Sequence, residues 1–181
     1  MTQRTPSELK FNPEDLIIRP VNRSDLPALE WHGVYLKYRR MFASIYRDSR
    51  QGRVLMWIVE HKNGELIGQA FVLLNSSEPD SANGQTHAYV FAFRIKPEWR
   101  SLGIGSYLMQ FIEADLRTRG FTFVTLNVAR DNVGALRLYQ RLGYRVTGPR
   151  PGVWSFVDHR GRTVHVNEPA WHMQKDLRES D

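Results

Sequence analysis

At positions 100–106 the chain reads Arg-Ser-Leu-Gly-Ile-Gly-Ser, and an apolar stripe of helical period begins at Ile104. This combination can hold an anion. The first amides of a helix have no intrahelical partner, and the helix dipole adds partial positive charge at that end. Gly103 and Gly105 carry no side chain, so a phosphate can approach the backbone closely. Arg100 brings a full charge beside them. The pattern predicts a phosphate or pyrophosphate ligand at a helix mouth, although a glycine-rich helix start without a ligand fits the glycines equally well. Two familiar phosphate loops are excluded. A dinucleotide fingerprint needs a third glycine where Leu108 stands, and a Walker A loop needs Gly-Lys-Ser/Thr, which is absent here.

The elements that must position this loop follow from periodicity. "HAYVFAFRI" (87–95) is apolar on both faces and predicts a central strand. Ile104, Tyr107, Leu108, Phe111, Ile112 and Leu116 recur at three and four and predict a helix ending at Gly120. "FTFVTLNVA" (121–129) predicts a strand parallel to 87–95 through a βαβ crossover. "VGALRLYQRLG" predicts a second helix, capped from "RDN". Upstream, "LIIRPV" (16–21) predicts a strand. The stretch from Ser24 predicts two helices, with Ser24 or Asp25 as N-cap and a break between 38 and 42. Two apolar runs around Asn63-Gly64 predict a hairpin closed by a type I′ turn. After 144, a strand, a hairpin and a final strand are expected. The fold class is α/β (α+β), one domain at 16–178 behind a loose leader at 1–15. Its mixed central sheet has six to seven strands flanked by helices.

"FRIKPEWRSLGIGSYLM" resembles the acetyl-CoA-binding motif of the GNAT superfamily of N-acetyltransferases, a strand leading to Arg/Gln-x-x-Gly-x-Gly/Ala. "LNVARDNVGALRLYQRLGYR" (126–145) resembles the strand and helix that follow it in that family. The resemblance implies acetyl-CoA as co-substrate, with its pyrophosphate on the loop formed by Arg100, Ser101, Leu102, Gly103, Ile104, Gly105 and Ser106. It implies that the pantetheine arm lies along Phe93, Arg94 and Ile95 and contacts Asn132, in the gap between splayed strands 87–95 and 121–129. It further implies Tyr139 as the general acid that protonates the departing thiolate. The residues themselves also allow Asn132 to be a helix N-cap and Tyr139 a core residue. Arg137 and Arg141, four apart, could meet the CoA 3′-phosphate or simply face solvent.

The base is the departure from the family pattern. Some relatives carry glutamate where this chain has Asn127. An amide cannot take the proton of an attacking amine, although it can orient water or the acceptor. His87, Tyr89 and Glu30 are further candidates, as is water.

Composition bounds the alternatives. The 181 residues carry a formal net charge of +6 without a basic block and have no cysteine, which removes thiolate chemistry. The four histidines 87, 159, 165 and 172 lack metal-ligand spacing, so no metal is expected. The polar N-terminal stretch and the lack of a long apolar run predict a cytoplasmic protein without a membrane span. The expected enzyme moves an acetyl group directly to a primary amine: a protein N-terminus, a lysine or a small molecule. It acts as a monomer or homodimer, without nucleic acid. The alternative is a non-catalytic acyl-CoA-binding module.

Overall fold

The computed structural model describes residues 10–179. Nine strands and three α-helices appear among them. β1 (Leu16–Pro20), β2 (Val54–His61), β3 (Leu66–Leu73), β4 (His87–Ile95), β5 (Phe123–Ala129), β9 (Ala170–Asp176) and β6 (Arg145–Arg150) form one sheet in that spatial order. Only the β4–β5 pair is parallel, so the sheet is mixed. β7 (Val153–Val157) and β8 (Thr163–Asn167) pair only with each other. The final strand β9 enters between β5 and β6, and the β7–β8 hairpin stands outside the sheet.

Two cores result, one on each face. The first packs α2 (Ile104–Thr118) and α3 (Val133–Arg141) on the sheet through Leu108, Ile112, Leu116, Val124, Leu126 and Met173. The second packs α1 (Arg39–Arg50) and the segment before it on the sheet through Leu29, Phe42, Ile58 and Phe71. Helices thus cover both faces, which explains why β3 is buried along almost its whole length although both of its pairings are antiparallel.

Several local expectations are corrected. A 3-10 helix spans Arg23–Glu30 with Asn22, not Ser24 or Asp25, at its N-cap; Asp25 instead accepts a hydrogen bond from the Asn22 N–H at 2.6 Å. The helical break falls earlier than 38–42. Trp31, His32 and Gly33 are all left-handed, with φ of 47°, 54° and 97°. A short 3-10 turn, Leu36–Tyr38, then runs directly into α1. Left-handed backbone at two successive non-glycine residues is costly, about 1–3 kcal/mol each, and persists only where packing fixes it. Here Leu29 and Trp31 are buried beneath it.

The β2–β3 turn is also different in type. Gly64 N–H donates to His61 C=O at 2.8 Å, and Gly64 is left-handed while Asn63 is not. This is a type I turn closed by a glycine bulge, because a type I′ turn needs both central residues at positive φ. Residues 10–15, within the expected leader, pack on the domain: the Lys10 N–H donates to Leu102 C=O at 3.3 Å, and Phe11 meets Tyr107 edge-on. Residues 1–9 lie outside the described residues.

Gly152 sets the β7–β8 hairpin against the sheet. Its φ is +64°, and a Cβ there would sit 1.7 Å from the Glu168 carbonyl oxygen. Backbone cannot yield to that contact locally. Gly152→Ala is therefore expected to dislodge the hairpin. Limited proteolysis should show faster cleavage within 153–167 than in the wild type, and equal rates would refute the steric argument.

Candidate active site

The site forms where β4 and β5 part. Their parallel pairing runs from His87↔Phe123 to Val90↔Leu126 and then stops, although β4 continues to Ile95 and β5 to Ala129. A bulge in β4 bends it away: Ala92 has φ of 50°, and the β3 register slips between Gln69 and Phe71. Bulges of this kind re-aim strands beside sites.

α2 opens at the end of this gap. Ser101 and Gly103 are both left-handed, at φ 61° and 97°, and turn the chain into the helix. No side chain caps the first turn, and no acid stands in it. Its leading amides and positive dipole end are therefore left for an external anion. Arg100 is exposed and anchored, its Nε donating to Ile95 C=O at 2.8 Å. Ile104 is buried in the core and Leu102 packs against it, which fixes the loop from below. Gly105 serves packing as well: a Cβ there would meet the Phe93 ring at 3.3 Å and Leu138 at 3.5 Å.

Phe93 joins the loop to Tyr139. Its ring meets Tyr139 edge-on at 6.0 Å, and Tyr139 meets Tyr144 at 5.8 Å. Tyr139 is buried, and burial, reinforced by Tyr89, pushes its phenol well above the ordinary range. It therefore keeps its proton through neutral pH. Asn132 is the N-cap of α3, its Oδ1 accepting from the Ala135 N–H at 3.2 Å.

Beneath Tyr139 lies a group the sequence did not signal. Glu113 on α2 accepts from Tyr144 Oη at 3.0 Å and from Lys175 Nζ at 2.8 Å. Glu113 and Lys175 are 1% and 6% exposed, so this is a buried ion pair tying α2 to β9. A glutamate inside an apolar helical stripe was the one available clue.

Asn127 does not stand alone either. Its Oδ1 lies 2.7 Å from His172 Nδ1 on β9, and its side chain faces the Tyr89 phenol on β4. Burial pushes the Tyr89 phenol up to about 12. The other base candidates are engaged elsewhere. His87 stacks on Phe123 at 4.5 Å and lies 2.8 Å from Thr86 Oγ1; Glu30 pairs with Arg39 at 2.6 Å. His172, absent from the base candidates that sequence offered, is reached only through β5–β9 pairing, which sets Asn127 opposite it.

His172 carries a pH dependence. Burial, helped by Arg150, holds its imidazole below the ordinary value, against the upward pull of Asp80 and Glu78. Tyr89 and Asn127 face it from β4 and β5. A lowered folded value means that the unfolded chain takes the proton first, so stability falls as pH drops below about 6.5. Urea unfolding at pH 7.5 and 5.5 should show a larger loss in the wild type than in His172→Gln. Equal losses would remove His172 from the account.

A mixed sheet opened between two parallel strands, with an uncapped helix mouth at the opening and a buried phenol beside it, defines an acyltransferase domain. The comparisons make the class specific. Residues 22–144 match the acetyltransferase (GNAT) family, and the chain belongs to that family. A mycothiol acetyltransferase of Cellulomonas flavigena is 28% identical over 103 residues, which are 52% of this chain and 30% of that protein; the match spans under a third of that relative's length. The ribosomal-protein-S18-alanine N-acetyltransferase from Escherichia coli superposes with a TM-score of 0.67 at 21% identity, covering 92% of this chain and 96% of that one. NAA60 of Arabidopsis thaliana, solved in complex with acetyl-CoA, superposes at 0.68 with 19% identity, covering 91% and 99%. Spermidine/spermine N-acetyltransferase SpeG from Vibrio cholerae superposes at 0.66 with 18% identity, covering 91% and 94%. These structural likenesses speak for the fold. Among the described residues no helix is long and apolar enough to cross a membrane.

Proposed function

We propose that this protein transfers the acetyl group of acetyl-CoA directly to a primary amine. The observation that carries the reading is the convergence of the uncapped α2 mouth, Phe93 and Tyr139 at the β4–β5 opening. Donor binding suits the exposed amides of residues 101–106, with Arg100 beside them. The strand edge left by the parted β4, at Phe93, Arg94 and Ile95, suits an extended amide-bearing arm, and Asn132 stands at the neighbouring helix cap.

In the reaction the amine nitrogen forms the new bond to the acyl carbon, and the carbon–sulfur bond breaks. The thiolate takes its proton from Tyr139, whose buried phenol stays protonated until needed. The amine's proton leaves toward the Asn127–His172–Tyr89 group. Of these three, His172 is the one able to accept it, and at Nε2: Asn127 Oδ1 can only accept, so Nδ1 carries the imidazole proton and Nε2 has the free lone pair. Asn127 then acts as a positioning residue.

The test is CoA-thiol release from acetyl-CoA across a panel of primary amines, with wild type and Tyr139→Phe. Amine-dependent release that collapses in the variant supports the reading. CoA binding without turnover by any amine would leave a non-catalytic acyl-CoA module.

A further inference from the structure

Arg94 is a cation in an unusual position. It follows the β4 bulge and points to the face opposite Phe93, toward the segment before α1. Its guanidinium carbon lies 4.2 Å from the Tyr35 ring centre and 5.4 Å from that of Tyr38. Its Nη1 is buried and has no hydrogen-bond partner. Among the described residues no carboxylate pairs with it: its titratable neighbours are the two neutral tyrosines, and burial lowers its affinity for its own proton. Glu30, nearest along that segment, gives both oxygens to Arg39 at 2.6 and 3.0 Å. Gln69, opposite Arg94 on β3, is fully buried with its own Oε1 unpartnered. It can share a hydrogen bond but brings no charge.

Tyrosine rings attract a guanidinium through their faces, yet they accept none of its five in-plane N–H groups. Buried cations in folded proteins are paired. Arg94 as a whole is only half-buried, so a ligand entering from its open side can bring the missing counter-charge. The surroundings show which ligand. The rings of Tyr35, Tyr38 and Phe156 line one wall, with Tyr38 and Phe156 at 4.8 Å, and Trp154 lies next to Phe156 at 5.4 Å. Tyr89 and Phe91 stack along the same face of β4, leading back to the β4–β5 opening. An anion on Arg94 would thus sit on the acceptor side of the reacting centre. A single planar guanidinium matches a carboxylate, which it binds through two parallel hydrogen bonds.

We infer that the acceptor is a small amine carrying a carboxylate, held by Arg94 within the Tyr35–Tyr38–Phe156 wall. The inference rests on the acetyl-transfer reading for its reaction, but not for its binding site. The test compares matched acceptors, alanine with alaninamide and 4-aminobutyrate with its amide, in wild type, Arg94→Gln and Arg94→Lys. Circular dichroism and melting verify that each variant folds. One charge-assisted contact corresponds to roughly 10- to 100-fold in kcat/KM. The wild type should prefer each carboxylate by that ratio, carried in KM. In Arg94→Gln the ratio should collapse toward one, and Arg94→Lys should restore part of it. Calorimetric titration of the same pairs in the presence of CoA reads binding independently of turnover. Arg94-dependent binding without any turnover would support the anion site and overturn acetyl transfer. A wild type indifferent to the carboxylate, or an unchanged ratio in Arg94→Gln, overturns the inference. So does a preference that follows a carboxylated acyl donor, succinyl-CoA over acetyl-CoA, instead of the acceptor.

Discussion

Tyr139→Phe is expected to lower kcat for amine acetylation by about 100-fold, with KM for acetyl-CoA changed by no more than a few-fold. The ring of Tyr139 is held between Phe93 and Tyr144, and phenylalanine keeps those edge contacts. What is lost is one hydroxyl, held protonated by burial. The sulfur must then depart as a thiolate without a proton from that hydroxyl. Stopped-time assays of CoA release, with melting temperature measured alongside, separate chemistry from folding. A melting temperature near wild type with kcat reduced is the predicted pair. A kcat within threefold of wild type would sink the acid role and leave Tyr139 as a core residue.

Removing the Glu113 carboxylate is expected to have the largest effect on stability. Glu113→Ala removes the Glu113 carboxylate from the buried Glu113–Lys175 pair and takes the acceptor from Tyr144 Oη. Breaking a buried pair by deleting one partner costs about 3–5 kcal/mol. In a domain of this size each kcal/mol lowers the melting temperature by about 2–4 °C, so a drop of roughly 6–20 °C follows. The double variant Glu113→Leu with Lys175→Met should recover much of this loss, because it removes both charges and fills the space. A single variant that melts within 2 °C of wild type would contradict the buried-pair assignment. The pair also bears on the site. It fixes Tyr144, against which Tyr139 packs, so Glu113→Ala should lower kcat even at temperatures where the fold persists.

Local pattern carried much of the fold. The helical stripe from Ile104 to Leu116, the Gly120 stop and the two apolar strands around it are short-range signals, and the structure holds them as read. Short-range reading failed where backbone conformation was set by distant packing. Nothing in "LEWHG" announces that Trp31 and His32 adopt left-handed backbone, which bulky side chains normally avoid; burial of Leu29 and Trp31 decides it. Asn63-Gly64 suggested a tight two-residue turn, but only the glycine took positive φ.

The sequence by itself indicated an anion site, because Gly103, Gly105 and Arg100 stand within six residues at a helix start. The resemblance of that segment and of the strand and helix after it then implied the donor and the role of Tyr139. Only the tertiary structure brought together the groups proposed for the acceptor side. His172 reaches Asn127 only because β9 inserts beside β5, 45 residues away in sequence. Lys175 meets Glu113 across 62 residues by the same insertion. Among the described residues no carboxylate pairs with Arg94, and Glu30 on the segment before α1 is held by Arg39. Charge pairing depends on which groups finish within a few ångströms of each other. That distance is fixed by strand order and packing, which leave no local signature along the chain.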